Sequence, residues 1–337
     1  MVFCFGELLL RMSPVLDGEW ISSASMPVYV GGAELNAATA LANWKIPVGY
    51  CTALPDHYLA DEIITAIRAR GIDPSPIHRS EGRIGVYYLP QGADLKNAGV
   101  IYDRAGSAFA GLQPGVIDWD KTLAGYSWFH FSAISPALTT HTAALCLEAL
   151  EAASRLGLTI SVDLNYRAKL WQYGVRPPDI MNVLVKHCHV VMGNTWAVES
   201  LLGIPSPISD SAGRSTSELV SAAKESMVMV RESYPLVKTI AYTFRLADEY
   251  FAVIDQQGEV QVSGHFRITD VVDRVGSGDC FMGGLIYGLY NGSTAEETID
   301  FAAAAAVGKL HEQGDASRQS AEDVKKVLNT LSIKANG

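Results

Sequence analysis

The chain has 337 residues, of which 48% are hydrophobic and 18% are charged, a composition typical of a globular protein. This length suits one large α/β domain with an appendage, or two domains. The 26 basic and 36 acidic side chains give a net charge of −10, which argues against nucleic acid or an anionic membrane as the main partner. No uncharged apolar run approaches the roughly 20 residues that span a bilayer, and no basic leader segment opens the chain, so we expect a cytoplasmic protein.

The N-terminal part of the chain predicts strands around one glycine-led helix. Residues 2–10 are an apolar strand candidate interrupted by Gly6 and Glu7, and residues 11–30 suit short strands outside the main sheet. Gly31 and Gly32 open a helix that runs to about residue 44. Two glycines before a helix permit either close approach of a ligand to backbone N–H groups or simply a tight turn.

The next segment predicts a small separate sheet. Residues 85–89 and 100–102 have the pattern of paired strands around a turn at Gly92, and with the segment before residue 30 they would form a lid. Arg104 follows, and it is either a solvated surface residue or a bidentate clamp for a carboxylate ligand. We therefore expect one domain over residues 1–337, with lid strands inserted at about 8–30 and 82–105. The exposed edge of such a lid is compatible with a homodimer or higher oligomer.

From residue 128 onward, strands and helices alternate regularly. Strands are predicted over 128–132, 159–164, 189–192 and 237–243, helices over 140–156 and 179–186, a hairpin over 250–262, and a polar loop over 206–217. A helix after Asp279 and an alanine-rich helix over 295–311 complete the series. The fold class is therefore α/β, with a mostly parallel sheet flanked by helices on both faces and a small β-sheet lid.

Several polar residues follow directly on predicted strands. They are Asn165, Tyr166, Arg167, Asn194, Thr243 and the stretch 276–279. Ligands of such sheets bind beyond the carboxyl ends of the strands, so we expect these residues to converge on one edge.

The stretch Gly276-Ser277-Gly278-Asp279 carries the chemistry. Its glycines let backbone N–H groups point into one concavity, and the following helix adds the positive end of its dipole, an arrangement that suits a transferring phosphoryl group. Asp279 is placed to accept a proton from an attacking hydroxyl. The alternative is a helix N-terminus with an ordinary capping aspartate. The dinucleotide fingerprint and the P-loop are both excluded, because the required glycines are absent.

This stretch, from Asp273 to Asp279, resembles the Asp-Thr-x-Gly-Ala-Gly-Asp signature of ribokinase-like (PfkB-type) carbohydrate kinases. The resemblance implies that Asp279 is the catalytic base and that Gly276, Ser277 and Gly278 form the anion hole. It also implies ATP and Mg²⁺ as cofactors, leaving a monovalent cation open.

Substrate-binding residues follow from the same resemblance. Within the family the chain is most similar to 2-keto-3-deoxygluconate kinases, whose substrate carries a carboxylate. The matching stretches are 6–11, 31–36, 102–108, 163–167, 273–281 and Lys309-Leu310-His311 ahead of Gly314-Asp315. The implied substrate residues are Gly31, Gly32, Ala33, Asn36, Tyr87, Tyr102, Arg104 and Arg167. For Arg167, a salt bridge to Asp163 is the alternative.

Three departures from the family pattern concern the nucleotide side. The implied nucleotide-binding residues are Asn194, Thr243 and Arg245, with Gly276 and Gly278. The segment starting at Asn194 lacks the glutamate expected three residues on, so no metal ligands are assigned and Glu199 is only a substitute candidate. The segment starting at Thr243 lacks two expected glycines, and Arg274 replaces a threonine.

The expected activity is phosphorylation of the 6-hydroxyl of 2-keto-3-deoxygluconate. Alternatives are a fructokinase- or ribokinase-type neutral sugar kinase, and a non-catalytic regulator that binds a sugar acid. The partners expected are a small sugar acid and ATP.

Overall fold

The computed structural model describes residues 1–92 and 99–334. In chain order the strands are β1 (Val2–Phe5), β2 (Leu9–Met12), β3 (Val28–Gly31), β4 (Val48–Cys51), β5 (Ala53–Leu54), β6 (Ile72–Asp73), β7 (His78–Arg79), β8 (Gly85–Tyr88), β9 (Ile101–Asp103), β10 (Trp128–Ser132), β11 (Thr159–Asp163), β12 (Val190–Gly193), β13 (Thr239–Arg245), β14 (Glu249–Gln256), β15 (Glu259–Val262) and β16 (Phe266–Arg267). The helices are α1 (Glu19–Ser22), α2 (Ala33–Asn43), α3 (Tyr58–Ala69), α4 (Trp119–Thr122), α5 (Thr140–Arg155), α6 (Pro177–Leu184), α7 (Thr195–Leu202), α8 (Thr216–Ser233), α9 (Ser277–Tyr290), α10 (Ala295–Leu310) and α11 (Ala321–Lys334), with 3₁₀ turns at Ser135–Ala137 and Val185–His187.

The main sheet confirms the predicted fold class. Its strand order is β15-β14-β13-β12-β11-β10-β1-β4-β6, with β16 paired to β14. The pairs from β13 through β12, β11, β10, β1 and β4 to β6 are parallel, and β13, β14 and β15 pair antiparallel. The carboxyl ends of β1, β10, β11, β12 and β13 therefore meet at one edge, which is where a ligand site is expected. Among the described residues, no helix has the length and apolarity that a membrane span requires.

Successive side chains of the strands pack into two different hydrophobic cores. On β1, Phe3 and Phe5 pack into the core that includes residues of α5 to α8, whereas Val2 and Cys4 pack into the core that includes residues of α2, α3, α9, α10 and α11. This follows from the two-residue period of a strand, which sends successive side chains to opposite faces. The sheet is thus fixed between two helical layers.

A second sheet has the order β3-β2-β8-β9 and contains the predicted lid strands. β8 and β9 pair antiparallel as predicted, with Tyr87 opposite Tyr102, and their connection runs through residues 93–98, outside the described part of the chain. The predicted interruption at Gly6 and Glu7 separates two strands. The chain leaves the main sheet after Phe5, and β2 belongs to the small sheet. Gly6 lies at this break, where a Cβ would meet the Glu34 carboxylate at 2.0 Å. The single-domain assignment and the dimer through the lid stay predictions.

Small residues let α9 lie unusually close to its neighbours. A Cβ at Gly284 would meet the Ala302 Cα at 2.6 Å, and one at Gly288 would meet the Thr298 hydroxyl at 2.5 Å. Ala302 to Ala306 of α10 are completely buried. Because both helices present backbone rather than bulky side chains, the N-terminus of α9 has little freedom to shift relative to α10.

We predict that Gly284→Ala lowers the free energy of unfolding. The methyl group improves helix propensity by about 1 kcal/mol, but its clash with the backbone of Ala302 cannot be relieved by a change of rotamer. The expected net loss is about 1–2 kcal/mol, measured by urea denaturation. Gly99→Ala is the matched control, because its Cβ would meet nothing within 4 Å. A Gly284→Ala protein as stable as the wild type would contradict this account of the packing.

Candidate active site

One cavity of about 610 Å³ lies at the carboxyl ends of the parallel strands. It brings together every predicted site residue except Gly31: Gly32, Ala33, Asn36, Tyr87, Tyr102, Arg104, Arg167, Asn194, Thr243, Arg245, Gly276, Ser277, Gly278 and Asp279. Asn165 and Tyr166 line it as well. The predicted convergence of these residues is therefore observed, whereas their roles stay predictions.

The turn at Gly276 has a geometry that only glycine tolerates. Its φ of 80° is left-handed, and a Cβ there would come within 1.8 Å of the Asp315 carbonyl oxygen. Helix α9 begins at Ser277 rather than after Asp279 as predicted, so Asp279 lies in its first turn. The buried Ser277 hydroxyl donates to the Ala306 carbonyl at 3.0 Å, so this side chain ties α9 to α10. The group left to face an anion at Ser277 is its backbone N–H.

Asp279 is a carboxylate with a perturbed pKa at the mouth of this turn. Burial raises its pKa to about 6, against the opposing effects of a hydrogen bond from Asn36 and the positive charge of Arg167. The Asn36 amide donates to its Oδ2 at 2.7 Å. The Oδ1 of Asn36 is buried without a hydrogen-bond partner among the described residues, and the residue lines the cavity. Asp279 is thus held in one orientation by a residue that also lines the cavity.

Two further buried carboxylates lie around Asp279, and neither was predicted as a site residue. Burial raises the pKa of Glu34 to about 7 and raises that of Asp163 well above its usual range. Glu34 accepts hydrogen bonds from the Ser132 backbone N–H at 2.9 Å and from its hydroxyl at 2.6 Å. The negative charge of Asp279 raises both pKa values further. Burial and the charge of Asp279 therefore disfavour the ionised forms of Glu34 and Asp163 when no cation is nearby.

A buried ion-pair network joins the small sheet to the turn. Arg11 of β2 contacts Asp273 at 2.5 Å and Asp315 at 2.8 Å, and its guanidinium lies 4.4 Å from the centre of the Tyr29 ring. The Tyr87 hydroxyl donates to Asp315 at 2.7 Å. Asp315 was quoted in the family match but not predicted as a site residue, because its partners lie far away in the sequence.

Gly31, which does not line the cavity, has a packing reason to be glycine. A Cβ there would lie 2.3 Å from an Asp315 carboxylate oxygen. Its predicted contact with substrate therefore has no support from the geometry of the cavity, and the residue instead lets β3 approach the Asp315 side chain.

The two predicted carboxylate-binding arginines differ in their surroundings. Arg104 is buried and pairs with Glu7, to which its Nε donates at 2.6 Å, while its Nη2 reaches the same carboxylate without good hydrogen-bond geometry. Arg167 is half-buried, and its Nη1 donates to the Tyr166 carbonyl at 3.0 Å. Among the ion pairs formed within residues 1–92 and 99–334, none joins Arg167 to Asp163. Both arginines line the cavity.

The other end of the cavity is lined from β12 and β13. The side-chain oxygen of Asn194 accepts from the Ala197 N–H at 2.9 Å and caps α7, while the residue still borders the cavity. Trp196, Thr243 and Arg245 also line this end. Glu199 is exposed and is not a lining residue, so its candidacy as a substitute for the missing glutamate has no support from the cavity.

The described side chains provide no ready-made metal site. In the part of the chain that the structure describes, no group of three or more His, Cys, Asp or Glu side chains is arranged to hold a metal ion. Mg²⁺ is usually bound through one or two carboxylates together with waters and substrate phosphates. The site therefore fits a metal that is shared with a phosphorylated ligand.

A model of the pfkB family of carbohydrate kinases matches residues 1–321. The chain is 29% identical over 328 residues to a 2-dehydro-3-deoxygalactonokinase of Haloferax volcanii, a match covering 96% of this chain and 95% of the relative. It is 26% identical over 315 residues to a 2-dehydro-3-deoxygluconokinase of Bacillus subtilis, covering 90% and 87%.

The comparison with solved structures gives the same picture. The crystal structure of a 2-dehydro-3-deoxygluconokinase from Thermotoga maritima matches with a TM-score of 0.87 and 33% identity, covering 97% of this chain and 99% of that chain. A fructokinase with bound ATP from Xylella fastidiosa matches with a TM-score of 0.76 at 18% identity, over 98% of each chain, and supports the fold alone.

Proposed function

Because the chain belongs to the pfkB family of carbohydrate kinases, we propose that it phosphorylates the 6-hydroxyl of 2-keto-3-deoxygluconate, or of its galacto epimer, with ATP. The family membership confirms the resemblance that the motifs indicated, and it makes the protein a sugar kinase. Relatives named for both epimers support a sugar acid as the acceptor. The observation that carries the proposal is the shared cavity of Asp279, the Gly276 turn and two arginines.

The proposed reaction is an in-line transfer. The Asp279 carboxylate accepts the proton of the 6-hydroxyl while the hydroxyl oxygen attacks the γ-phosphorus. The bond between that phosphorus and the β–γ bridging oxygen breaks, which releases ADP. The backbone N–H groups that follow Gly276, with the dipole of α9, stabilise the negative charge of the transferring group. Asn36 orients Asp279 through the 2.7 Å hydrogen bond.

The strand order gives the cavity two well-separated ends. β1 and β13 are four places apart in the sheet, which corresponds to about 19 Å at the usual strand spacing. We assign the sugar acid to the end lined by Ala33, Tyr102 and Arg104, and the nucleotide to the end lined by Asn194 and Thr243.

The family implies a divalent metal ion together with ATP, and we assign Mg²⁺. When bound, it would neutralise the phosphate oxygens. Asp163, a buried carboxylate that lines the cavity at the end of β11, is the residue we assign to hold it. A cation there would favour the ionised form that burial and the charge of Asp279 now disfavour.

The test of the activity is ADP release from Mg-ATP with 2-keto-3-deoxygluconate, its galacto epimer, fructose and ribose measured side by side. Turnover confined to the two keto-deoxy acids would support the proposal. Turnover of fructose or ribose would replace it with a neutral sugar kinase, and no turnover with any of the four would favour the non-catalytic regulator.

We predict that Asp279→Asn lowers kcat by about 10²- to 10⁴-fold while leaving the affinity for ATP nearly unchanged, because the amide cannot accept the hydroxyl proton. Steady-state kinetics and calorimetric titration with a non-hydrolysable ATP analogue measure the two quantities. Asp56→Asn, at an exposed position just before α3, is the matched control. Wild-type turnover in Asp279→Asn would exclude this carboxylate as the base.

The role of Arg104 can be separated from that of its ion pair. Arg104→Met and Glu7→Gln both break the pair, but only the first removes the cation that is proposed to bind the sugar carboxylate. We predict that Arg104→Met raises KM for the sugar acid by about 10- to 100-fold and that Arg167→Met does the same, whereas Glu7→Gln leaves KM nearly unchanged. Equal increases of KM in Arg104→Met and Glu7→Gln would show that Arg104 has only a structural role.

A further inference from the structure

Lys309, at the C-terminal end of α10, is a buried charge that the proposed reaction does not use. Its side chain is completely inaccessible to solvent, which is rare for lysine unless the ammonium is paired. Its Nζ donates to the Glu312 carbonyl at 3.0 Å. Burial lowers its pKa, and the carboxylates of Asp273, Glu312 and Asp315 act in the opposite direction.

The side chain of Lys309 lies directly behind the Gly276 turn. A Cβ at Gly276 would stand 3.4 Å from the Lys309 Cε, next to the Asp315 carbonyl. The same end of α10 accepts three further bonds from the turn region: Ala306 from the Ser277 hydroxyl, and Leu310 from the backbone N–H groups of residues 272 and 273. The Lys309 side chain is therefore one of the groups that hold the phosphate-facing backbone of the Gly276 turn in place.

The balance of charges around the Gly276 turn indicates a role for the Lys309 ammonium beyond capping the C-terminal end of α10. Arg11 contacts both Asp273 and Asp315, so one cation would face two carboxylates if Lys309 were neutral. The uncompensated charge would lie beside the path of an anionic triphosphate. Lysine that only caps a helix C-terminus does so from the solvated surface, where no desolvation cost arises. Complete burial beside the turn is better explained by a need for positive charge at that point.

We propose that Lys309 is a positioning residue whose ammonium supplies a fixed positive charge behind the Gly276 turn, so that phosphoryl transfer needs no monovalent cation. A monovalent cation beside this turn does not fit the geometry, because the Lys309 Cε and the Asp315 carbonyl already occupy the space next to Gly276. This inference rests on the proposed kinase activity. It concerns how the turn is supported and not which sugar is phosphorylated.

The first test needs no variant. Phosphorylation of the sugar acid by the wild type is measured at constant ionic strength with potassium, sodium or tetramethylammonium as the only monovalent cation. Equal kcat values in all three are expected, because the charge is built into the chain. A requirement for potassium would overturn the proposal.

The second test uses two substitutions of Lys309. One removes the positive charge and keeps most of the side-chain volume, and the other removes both. Lys309→Met keeps most of the volume and is expected to lower kcat by about 10- to 100-fold with KM for the sugar acid nearly unchanged. Lys309→Ala leaves a cavity, and methylammonium is expected to restore part of its kcat, whereas methanol, which is neutral and similar in size, is not. Lys224→Ala, at an exposed position on α8, is the control.

The outcomes separate this inference from the proposed function. Wild-type kcat in Lys309→Met, or equal rescue of Lys309→Ala by methylammonium and methanol, would show that the side chain acts only by packing. If the wild type turns over none of the sugars, the affinity for a non-hydrolysable ATP analogue takes the place of kcat. Weaker binding of the analogue by Lys309→Met in all three salts would then still support a role for the positive charge. Unchanged binding of the analogue would overturn the proposal.

Discussion

The contact of Arg11 with Asp273 and Asp315 is the constraint on which the rest of the site depends. It joins three parts of the chain that are remote in sequence: β2 of the small sheet, the segment before the Gly276 turn, and the segment after α10. Removing one partner of such a buried pair typically costs about 3–5 kcal/mol, because the remaining charge is left without compensation. The small sheet is therefore held against the turn by a strong interaction and not merely by the chain connection.

Burial and nearby charges together set the pKa values of the carboxylates in the site. Burial raises the pKa values of Glu34, Asp163 and Asp279, and the negative charge of Asp279 raises those of Glu34 and Asp163 further. The opposing positive charges come from Arg167 and Lys309. Such a balance keeps Asp279 near the pKa at which a general base works best at neutral pH. An isolated surface aspartate would be ionised but too weakly basic for the task.

Much of the fold could be predicted from the sequence because its signals are local. The strand over residues 128–132 is correct to the residue, since a short apolar run is bounded by turn-forming residues. The lid pair and the convergence of polar residues at the strand ends were also predicted correctly. Helix α8 was not predicted because most of its residues are polar, although Ser215 and Glu218 form a capping box that could have revealed it.

The parts that were missed depend on contacts without any local signal. Glu34 looks like an ordinary first-turn acid in the sequence, and its partner Ser132 lies 98 residues away. Arg11 and Asp273 are 262 residues apart. Arg104 was predicted as a free clamp, and nothing in the sequence indicated that Glu7 would pair with it. Charge pairs of this kind are determined by the fold, so residue type and spacing alone do not reveal them.

The measurement that tests the central claim most directly is the pH dependence of kcat/KM for the sugar acid, which reports the pKa of the base in the enzyme before the sugar acid binds. Asp279 must be ionised to accept the proton, and its pKa is raised to about 6. The account therefore predicts an acid limb of kcat/KM with a midpoint near pH 6. Below it kcat/KM falls tenfold for each pH unit, and the limb is lost from the residual activity of Asp279→Asn. A limb that persists unchanged in that variant, or one that lies at the ordinary aspartate value of 3.8, would contradict the assignment of Asp279 as a buried general base.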